Sequence, residues 1–278
     1  NFQGKVVGVS LKDRASILPA GHNPTGAYWF DDSNGYFVTS SYYMQDLPKW
    51  VKNFNAENWG EKLVANGWNT LLPISQYTES SPDNSRWEGL LGSAKQPVFP
   101  YDNLAADYKL KKDNIRNTPF GNTLTLKMAT AAIEGEQLGA DAVTDMLAVN
   151  IASTDYAGHK FGPNSIEVED VYLRLDRDLA DFFNYLDKRI GKGEYTVFLS
   201  ADHGGAHAVE FLKEHKMVTG YFGEGADRSI NEKFKTKYGV ENLLTSIDNY
   251  QIYLNQDLAS KNKLDINNAV DYLVDELN

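Results

Sequence analysis

Two aspartate and histidine pairs in this chain could bind metal ions. Asp202 and His203 follow the apolar run TVFLS of residues 196–200 and precede two glycines. Asp155 follows a second strand-like run, TDMLAVNIAST, and His159 comes four residues later, so the two side chains could share one side of a helical turn. Carboxylate oxygens and imidazole nitrogens are ligands that zinc accepts. Because functional residues of an open α/β sheet gather at the carboxyl ends of its strands, we predict one site for two metal ions.

A lysine and an arginine near the start of the chain could bind a phosphate group. Lys12 and Arg14 follow the Val-rich run KVVGVSL, which is typical of a buried strand. If the strand continued through them, the two side chains would share a face. Two such cations can hold a phosphate monoester, with the guanidinium donating two parallel hydrogen bonds. If they lie beside two divalent ions about 4 Å apart, Lys12 and Arg14 would complete a phosphoryl-transfer site.

The remaining candidates are less distinctive. His207 is either a further metal ligand, a neighbour of one, or a surface residue, whereas His22 and His215 are typical of a loop and a solvated helix. No hydroxyl stands in a setting that marks it as the nucleophile. The candidates by residue type are Ser10, Thr39, Ser40 and Ser153.

Composition limits the class of protein. The chain has 278 residues, 42% hydrophobic content and a net charge of −11, which favour a globular domain and disfavour nucleic-acid binding. It has no cysteine, so zinc would need histidine and carboxylate ligands. No apolar run is long enough to cross a membrane, and the start lacks the features of a signal peptide. A strand that begins by residue 5, without an initiator Met, suggests a start inside a larger protein.

The predicted elements indicate an α/β fold. Turn signals in DDSNG predict a hairpin within residues 26–46, and helical spacing predicts helices over 123–138 and 171–186. Strand, helix and strand alternate from 123 to 215, which predicts a parallel sheet with right-handed crossovers. Shorter predicted elements are helices near 48–54, 60–65, 208–215, 230–238 and 266–277, and a strand at 250–254.

Three segments resemble the alkaline phosphatase superfamily and, more closely, its PafA-type secreted bacterial members. They are SLKDRASILPAGHNPTGAYWF, NIASTDYAGHKFGP and LSADHGGAHAVEF. The resemblance covers the whole chain as the central portion, 1–278, of one alkaline-phosphatase-like domain. It implies an α/β fold with a mostly parallel sheet flanked by helices, and an inserted irregular α+β region over about 27–120 near the site.

The resemblance also implies roles for individual residues. The residues that match Asp155 and His159 bind one zinc ion, and those that match Asp202 and His203 bind a second. Lys12 and Arg14 match the cations that contact the phosphoryl oxygens and favour monoesters over diesters. The implied reaction is hydrolysis of phosphate monoesters to inorganic phosphate through a covalent phosphothreonine. The implied protein is a monomer in the periplasm or outside the cell, with no nucleic-acid or membrane partner.

The chain departs from the family at both ends. It lacks the N-terminal segment that would carry an Asp ligand, the Thr nucleophile and an Asn phosphate contact, and the C-terminal segment that would carry a third His. A site with only two protein ligands should bind its zinc ion weakly, so we expect the chain alone to be inactive. The alternatives are a nucleotide phosphodiesterase, sulfatase or mutase of the same superfamily, and a non-catalytic binding domain whose aromatic-rich 27–105 region contacts a partner or glycan.

Overall fold

The structure is a computed structural model that describes residues 3–221, 225–249 and 251–277. It contains two compact units, Asn1–Lys216 and Met217–Asn278. The assignment of residues 1–278 to one alkaline-phosphatase-like domain, with an insertion over about 27–120, stays a prediction. No helix among the described residues is long and apolar enough to cross a membrane.

A four-stranded mixed sheet forms the centre of the larger unit. Its strands are β1 (Val6–Ser10), β2 (Gly26–Asp31), β3 (Tyr36–Val38) and β4 (Met146–Val149), in the order β3-β2-β1-β4. Strands β2 and β4 flank β1 in parallel, and β3 pairs antiparallel with β2. Val9 and the neighbouring Ser10 point to opposite faces of β1 and are both fully buried, as expected for a strand covered on both faces. The predicted first strand, the hairpin and the α/β class are therefore confirmed.

Helices flank this sheet in the larger unit. In the described part of that unit they are α1 (Asp13–Ala20), α2 (Lys49–Ala56), α3 (Trp59–Val64), α4 (Leu104–Leu110), α5 (Pro119–Glu136), α6 (Ser153–Phe161), α7 (Ile166–Leu186) and α8 (Val209–Glu214). Helix α7 begins where the Ser165 hydroxyl accepts a hydrogen bond from the Val168 amide. Helix α5 ends at Glu136, two residues before the predicted end at 138, because Gln137 takes the left-handed conformation there with φ 55°.

The predicted strand over residues 196–200 is wrong. These residues form no strand, and the side chains of Val197, Phe198 and Leu199 are 53%, 80% and 91% exposed. In the described residues, β4 is the edge of the sheet and this run does not pair with it. An apolar run becomes a buried strand only where a neighbouring strand satisfies its backbone groups. The crossover from β4 through α7 to a second metal-bearing strand is therefore not formed.

The smaller unit has its own core. It contains α9 (Ala226–Tyr238), β5 (Leu244–Asp248), β6 (Gln251–Leu254), α10 (Gln256–Lys261) and α11 (Ile266–Leu277). Strands β5 and β6 pair antiparallel, and Phe234, Leu243 and Ala269 are fully buried. The strand predicted at 250–254 is confirmed over β6, whereas residue 250 lies outside the described residues. Sequence reasoning missed β5 and α10.

Candidate active site

The carboxyl end of β1 delivers Lys12 to the candidate site. The strand ends at Ser10, and Lys12 stands just before α1, with an extended backbone of φ −106° and ψ 135°. The Lys12 amide donates to the Ser10 hydroxyl at 2.9 Å, and that hydroxyl donates to Asn150 Oδ1 at 2.9 Å. Lys12 is thus held by a hydrogen-bonded turn that links β1 to the segment after β4. The expectation that Lys12 and Arg14 share a strand face is wrong, because Arg14 already lies in α1.

Helix α6 carries Asp155 in its first turn and His159 in its last turn. The two side chains lie on one face, with His159 Nε2 3.2 Å from Asp155 Oδ1. The expected juxtaposition of residues four apart is therefore confirmed. Asp155 is 30% exposed and His159 is 77% exposed, so this face of α6 is open to solvent.

Lys12 and Asp155 form an ion pair at the centre of the candidate site. Lys12 Nζ lies 2.5 Å from Asp155 Oδ2 and 4.5 Å from the centroid of the Tyr156 ring. Burial alone would raise the pKa of Asp155, but the hydrogen bond and positive charge of Lys12 lower this pKa below its ordinary value of 3.8. Asp155 is therefore an anion over the whole neutral range, as a metal ligand or a lysine partner must be.

Arg14 is the free cation of the predicted pair. Its side chain is exposed and forms no ion pair with residues 3–221, 225–249 or 251–277. Its backbone amide donates to Asp13 Oδ1 at 2.7 Å, which fixes the first turn of α1. An exposed guanidinium close to Lys12 can contact an anion in solution.

Sequence reasoning missed a third cation beside the site, in addition to Lys12 and Arg14. Arg116 is held by Asp32 and Asp113, at 3.2 Å and 3.3 Å. Its guanidinium lies 5.6 Å from the centroid of the Tyr156 ring, which Lys12 also contacts. An isolated arginine in a polar segment carries no sequence signal of this kind, since the contact depends on the fold.

Asp202 and His203 lie on an exposed loop near α6. His203 Nδ1 is 3.0 Å from the Gly204 carbonyl oxygen, and His203 Nε2 is 3.5 Å from Asp202 Oδ2. The Gly204 carbonyl and the Asp202 charge raise the pKa of His203, and the more distant charges of Asp155 and Lys12 also act on this pKa. His203 in turn helps to lower the pKa of Asp155. The second pair thus lies within electrostatic range of the first.

His207 contacts the connection that follows α6. Its Nδ1 is 2.7 Å from Asn164 Oδ1, and its ring stacks on Phe211 with centroids 5.0 Å apart. His215 Nδ1 contacts the Phe211 carbonyl oxygen at 2.8 Å. These contacts do not direct either histidine towards Asp155. His207 instead docks the segment 202–215, which includes α8, against the connection after α6.

The predicted ligands fit zinc in chemistry but not in number. Asp155, His159, Asp202 and His203 offer carboxylate oxygens and imidazole nitrogens, the donor set that zinc uses when cysteine is absent. In the part of the chain that the structure describes, no three histidine, aspartate or glutamate residues are arranged to hold a metal ion. The assignment of these four residues as zinc ligands stays a prediction, and the described residues do not complete a four-coordinate site.

Three of the four nucleophile candidates have ordinary structural partners. Ser10 donates to Asn150, as described above, and Thr39 Oγ1 donates to the Ala27 carbonyl at 2.7 Å. The Ser40 hydroxyl accepts from the Tyr42 amide at 3.1 Å, and Ser153 Oγ is buried without a hydrogen-bond partner. None of these contacts gives a hydroxyl a histidine or carboxylate base.

Comparison with known proteins identifies the family. The sequence profile described as type I phosphodiesterase / nucleotide pyrophosphatase matches residues 18–273. The match covers most of the chain and includes all four predicted metal ligands. The chain belongs to this family.

Curated relatives align with nearly the whole chain. Alkaline phosphatase PafA of Elizabethkingia meningoseptica is 64% identical over 277 residues, 100% of this chain and 51% of the relative. A protein of Myroides odoratus named calcium-transporting ATPase is 52% identical, over 95% of this chain and 49% of the relative. Alkaline phosphatase PhoV of Synechococcus elongatus is 46% identical, over 99% of this chain and 50% of the relative. The chain spans about half the length of these relatives.

Solved structures match the fold. The crystal structure of wild-type alkaline phosphatase PafA superposes with a TM-score of 0.93 and 64% identity, covering 99% of this chain and 52% of that chain. A PafA variant with four substitutions also has a TM-score of 0.93, at 63% identity. Those substitutions include a lysine and an arginine two positions apart, each changed to alanine. The alkaline-phosphatase-like fold and the resemblance to PafA-type enzymes are confirmed.

Proposed function

We propose that this chain is the part of a zinc-dependent phosphate monoesterase that binds the phosphoryl group and supplies two protein ligands to each of two zinc ions. Asp155 and His159 would hold one zinc ion, and Asp202 and His203 a second. When bound, zinc would supply Lewis-acid stabilisation of the phosphoryl oxygens and a nucleophile of lowered pKa. The substrates would be phosphate monoesters, the product inorganic phosphate, and the location of the monomeric protein periplasmic or extracellular.

The observation that carries this proposal is the contact between Lys12 and Asp155, at 2.5 Å. It brings a predicted phosphate-binding cation against a predicted metal ligand, which supports one common site for the phosphoryl group and the metal ion; with both bound, Lys12 would contact the phosphoryl oxygens and Asp155 the metal ion. The Lys12-x-Arg14 spacing equals that of the lysine and arginine altered together in the PafA variant. In the reaction, Lys12 and Arg14 would hold non-bridging oxygens as the phosphoryl group transfers.

The isolated chain is proposed to be inactive. Ser10, Thr39, Ser40 and Ser153 have no neighbouring base, so the threonine nucleophile implied by the resemblance would come from outside these residues. The covalent phosphoenzyme therefore needs a longer protein. This expectation agrees with the incomplete set of ligands among the described residues.

A nucleotide phosphodiesterase is the second candidate, because the matching family profile is described by that activity. The two candidates differ in the number of charged phosphate oxygens that the enzyme must hold. A monoester dianion needs both Lys12 and Arg14, whereas a diester has one fewer free oxygen for them to bind. A non-catalytic binding domain, the third candidate, would bind no zinc.

Substitution of both cations distinguishes these candidates. In a longer protein that carries the nucleophile, Lys12→Ala with Arg14→Ala should lower kcat/KM for a phosphate monoester at least tenfold more than for a diester. The matched control is Lys52→Ala, since Lys52 forms an exposed pair with Asp46 away from the site. Equal losses for the two substrates would remove the reason to prefer a monoesterase.

A further inference from the structure

Three carboxyl groups lie together between an irregular segment and the start of α7. Asp83 and Glu88 belong to residues 80–101, here named the clamp segment, and Glu167 lies in the first turn of α7. Glu167 is fully buried and Glu88 is 8% exposed. Asp83, Glu88 and Glu167 together are named the acid cluster. None of the three belongs to the candidate active site.

Each carboxyl group of the acid cluster has one oxygen held by a protein donor. The Phe99 amide donates to Asp83 Oδ2 at 3.2 Å, the Ser85 amide donates to Glu88 Oε2 at 2.9 Å, and the Tyr101 hydroxyl donates to Glu167 Oε1. The second oxygen of each group is buried without a hydrogen-bond partner. A buried oxygen that carries charge and has no partner is costly, and protonation removes this cost.

The charges that act on the acid cluster are negative. Burial and then the charge of Glu167 raise the pKa of Glu88 to about 8. Burial also raises the pKa of Glu167 to about 7, although the Tyr101 hydrogen bond opposes this shift. Asp83 acts on both groups, and Asp170 on the same helix acts on Glu167. None of these charges is positive, so protonation rather than an ion pair neutralises these groups.

Two other charged groups of the neighbouring elements, Arg86 and Glu169, have partners elsewhere. Arg86 in the clamp segment is exposed and lies 3.1 Å from Glu214. Glu169 on α7 accepts a hydrogen bond from the Ser80 hydroxyl. Burial raises the pKa of Tyr101, so this hydroxyl keeps its proton and remains a donor. The described residues also hold no group of three carboxylates or imidazoles suited to a metal ion.

The acid cluster lies where the clamp segment meets the end of α6, the connection after it and the start of α7. The Ser81 amide donates to the Asn164 carbonyl at 2.7 Å, and the Gly89 amide donates to the Lys160 carbonyl at 2.7 Å. Asn164 also contacts His207 of the loop that carries Asp202 and His203. Release of the clamp segment would therefore loosen the support of that loop.

We propose that the acid cluster is a proton-dependent clasp, which fastens the clamp segment to the end of α6 and the start of α7 while its carboxyl groups are protonated and loosens this attachment as they ionise with rising pH. The inference does not depend on the proposed function. It follows from three buried acid oxygens without partners at the junction of the two segments.

The direction of the pH effect follows from proton linkage. In the fastened state Glu88 and Glu167 keep their protons to higher pH than in an open or unfolded state, where the ordinary value is 4.5. Fastening is therefore most favourable below that value and weakens as pH rises to about 7 for Glu167 and about 8 for Glu88. Each group that ionises lowers the ratio of fastened to open states by up to about tenfold per pH unit.

Hydrogen exchange of the Ser81 and Gly89 amides in the full chain tests the clasp. After correction for intrinsic exchange rates, their protection should fall at least about tenfold between about pH 5 and pH 8. Glu88→Gln with Glu167→Gln keeps the shape of both groups but removes their ionisation, so its protection should fall much less, with Asp83 alone left to ionise. Glu79→Gln, at an exposed neighbouring position, should keep the wild-type slope.

Two results would overturn the clasp. One is a constant protection in the wild-type chain, or an equal slope in the double variant. The other is a loss of the wild-type slope when calcium ions are added, which would make the acid cluster a cation site. If the double variant does not fold, Glu88→Gln alone should remove the upper part of the slope, and an unchanged slope there would contradict the proposal.

Discussion

Lys12 Nζ and Asp155 Oδ2 lie 2.5 Å apart although 143 positions separate the two residues in the chain. The contact joins the end of β1 to the first turn of α6. It exists because β1 and β4 are parallel neighbours, so that the segments after both strands emerge at the same edge of the sheet. The charge of one predicted functional residue thus sets the protonation of another.

Lys12→Met should raise the pKa of Asp155 towards its ordinary value. The substitution removes the hydrogen bond and the charge that lower this pKa and leaves a side chain of similar length. NMR titration of the Asp155 carboxyl group measures the shift. Because the pair is about one-third exposed, the free energy of unfolding at neutral pH should fall by less than about 1 kcal/mol.

The same pair predicts how stability changes in acid. A carboxyl group with a lowered folded-state pKa stabilises the fold above its ordinary value of 3.8, and this contribution is lost as pH falls through the folded-state pKa. The acid loss should be smaller in Lys12→Met than in wild type. Lys49→Met, at an exposed lysine with no ion pair among the described residues, is the control; an identical change in both variants would contradict a specific effect on Asp155.

Gly121→Ala should destabilise the start of α6. A methyl group at this position would lie 2.1 Å from Ser153 Oγ and 2.9 Å from Leu11 Cδ1, so the first turn that carries Asp155 must shift. We expect a loss of about 1–3 kcal/mol in urea unfolding. Gly158→Ala, within α6 itself, meets no atom within 4 Å and should stabilise the helix by roughly 0.5–1 kcal/mol. Equal effects at both positions would contradict the packing argument.

Asp170→Ala should be among the most damaging substitutions outside the candidate site. The fully buried carboxylate accepts from Trp68 Nε1 at 2.7 Å, the Leu71 amide at 2.6 Å and Arg174 Nε at 2.6 Å. Its removal leaves buried donors and a cation unpaired, at a cost of about 3–5 kcal/mol in the free energy of unfolding. Asp176→Ala, exposed on the same helix, should change this free energy by less than about 0.5 kcal/mol.

The apolar run over residues 196–200 should be dispensable for the stability of this chain. Phe198→Ser removes a side chain that is 80% exposed, and we expect a change of less than about 0.5 kcal/mol in the free energy of unfolding. Phe161→Ala, at a fully buried ring, should cost about 3–5 kcal/mol. A large loss for Phe198→Ser would show that the run packs as a strand.

Local patterns were sufficient to predict the central elements. The Val-rich run of β1, the DDSNG turn and the helical spacing in α7 each depend on neighbouring residues, so they could be read directly. The spacing of Asp155 and His159 predicted their contact for the same reason. In contrast, whether 196–200 forms a strand depends on a distant partner, which an apolar run does not specify.

Residues that act through tertiary contacts were not predictable. Arg116 lies beside Tyr156, and Glu88 lies beside Glu167, only because separate segments pack together. Strand β5 was missed because LTSID combines polar and apolar residues in too short a run to distinguish it from a loop. The nearness of the two aspartate and histidine pairs was predicted from a strand that is absent, and it arises instead from a loop docked through His207.

Zinc titration of the 278-residue chain, followed by a phosphate-monoester assay, tests whether the chain holds an incomplete phosphatase site. We expect weak zinc binding by calorimetry and no turnover, because two protein ligands for each ion leave the sites incomplete. His159→Ala and His203→Ala should weaken the remaining binding further, whereas His22→Ala should not. Tight binding of two zinc ions with monoester turnover would show instead that this chain carries a complete site.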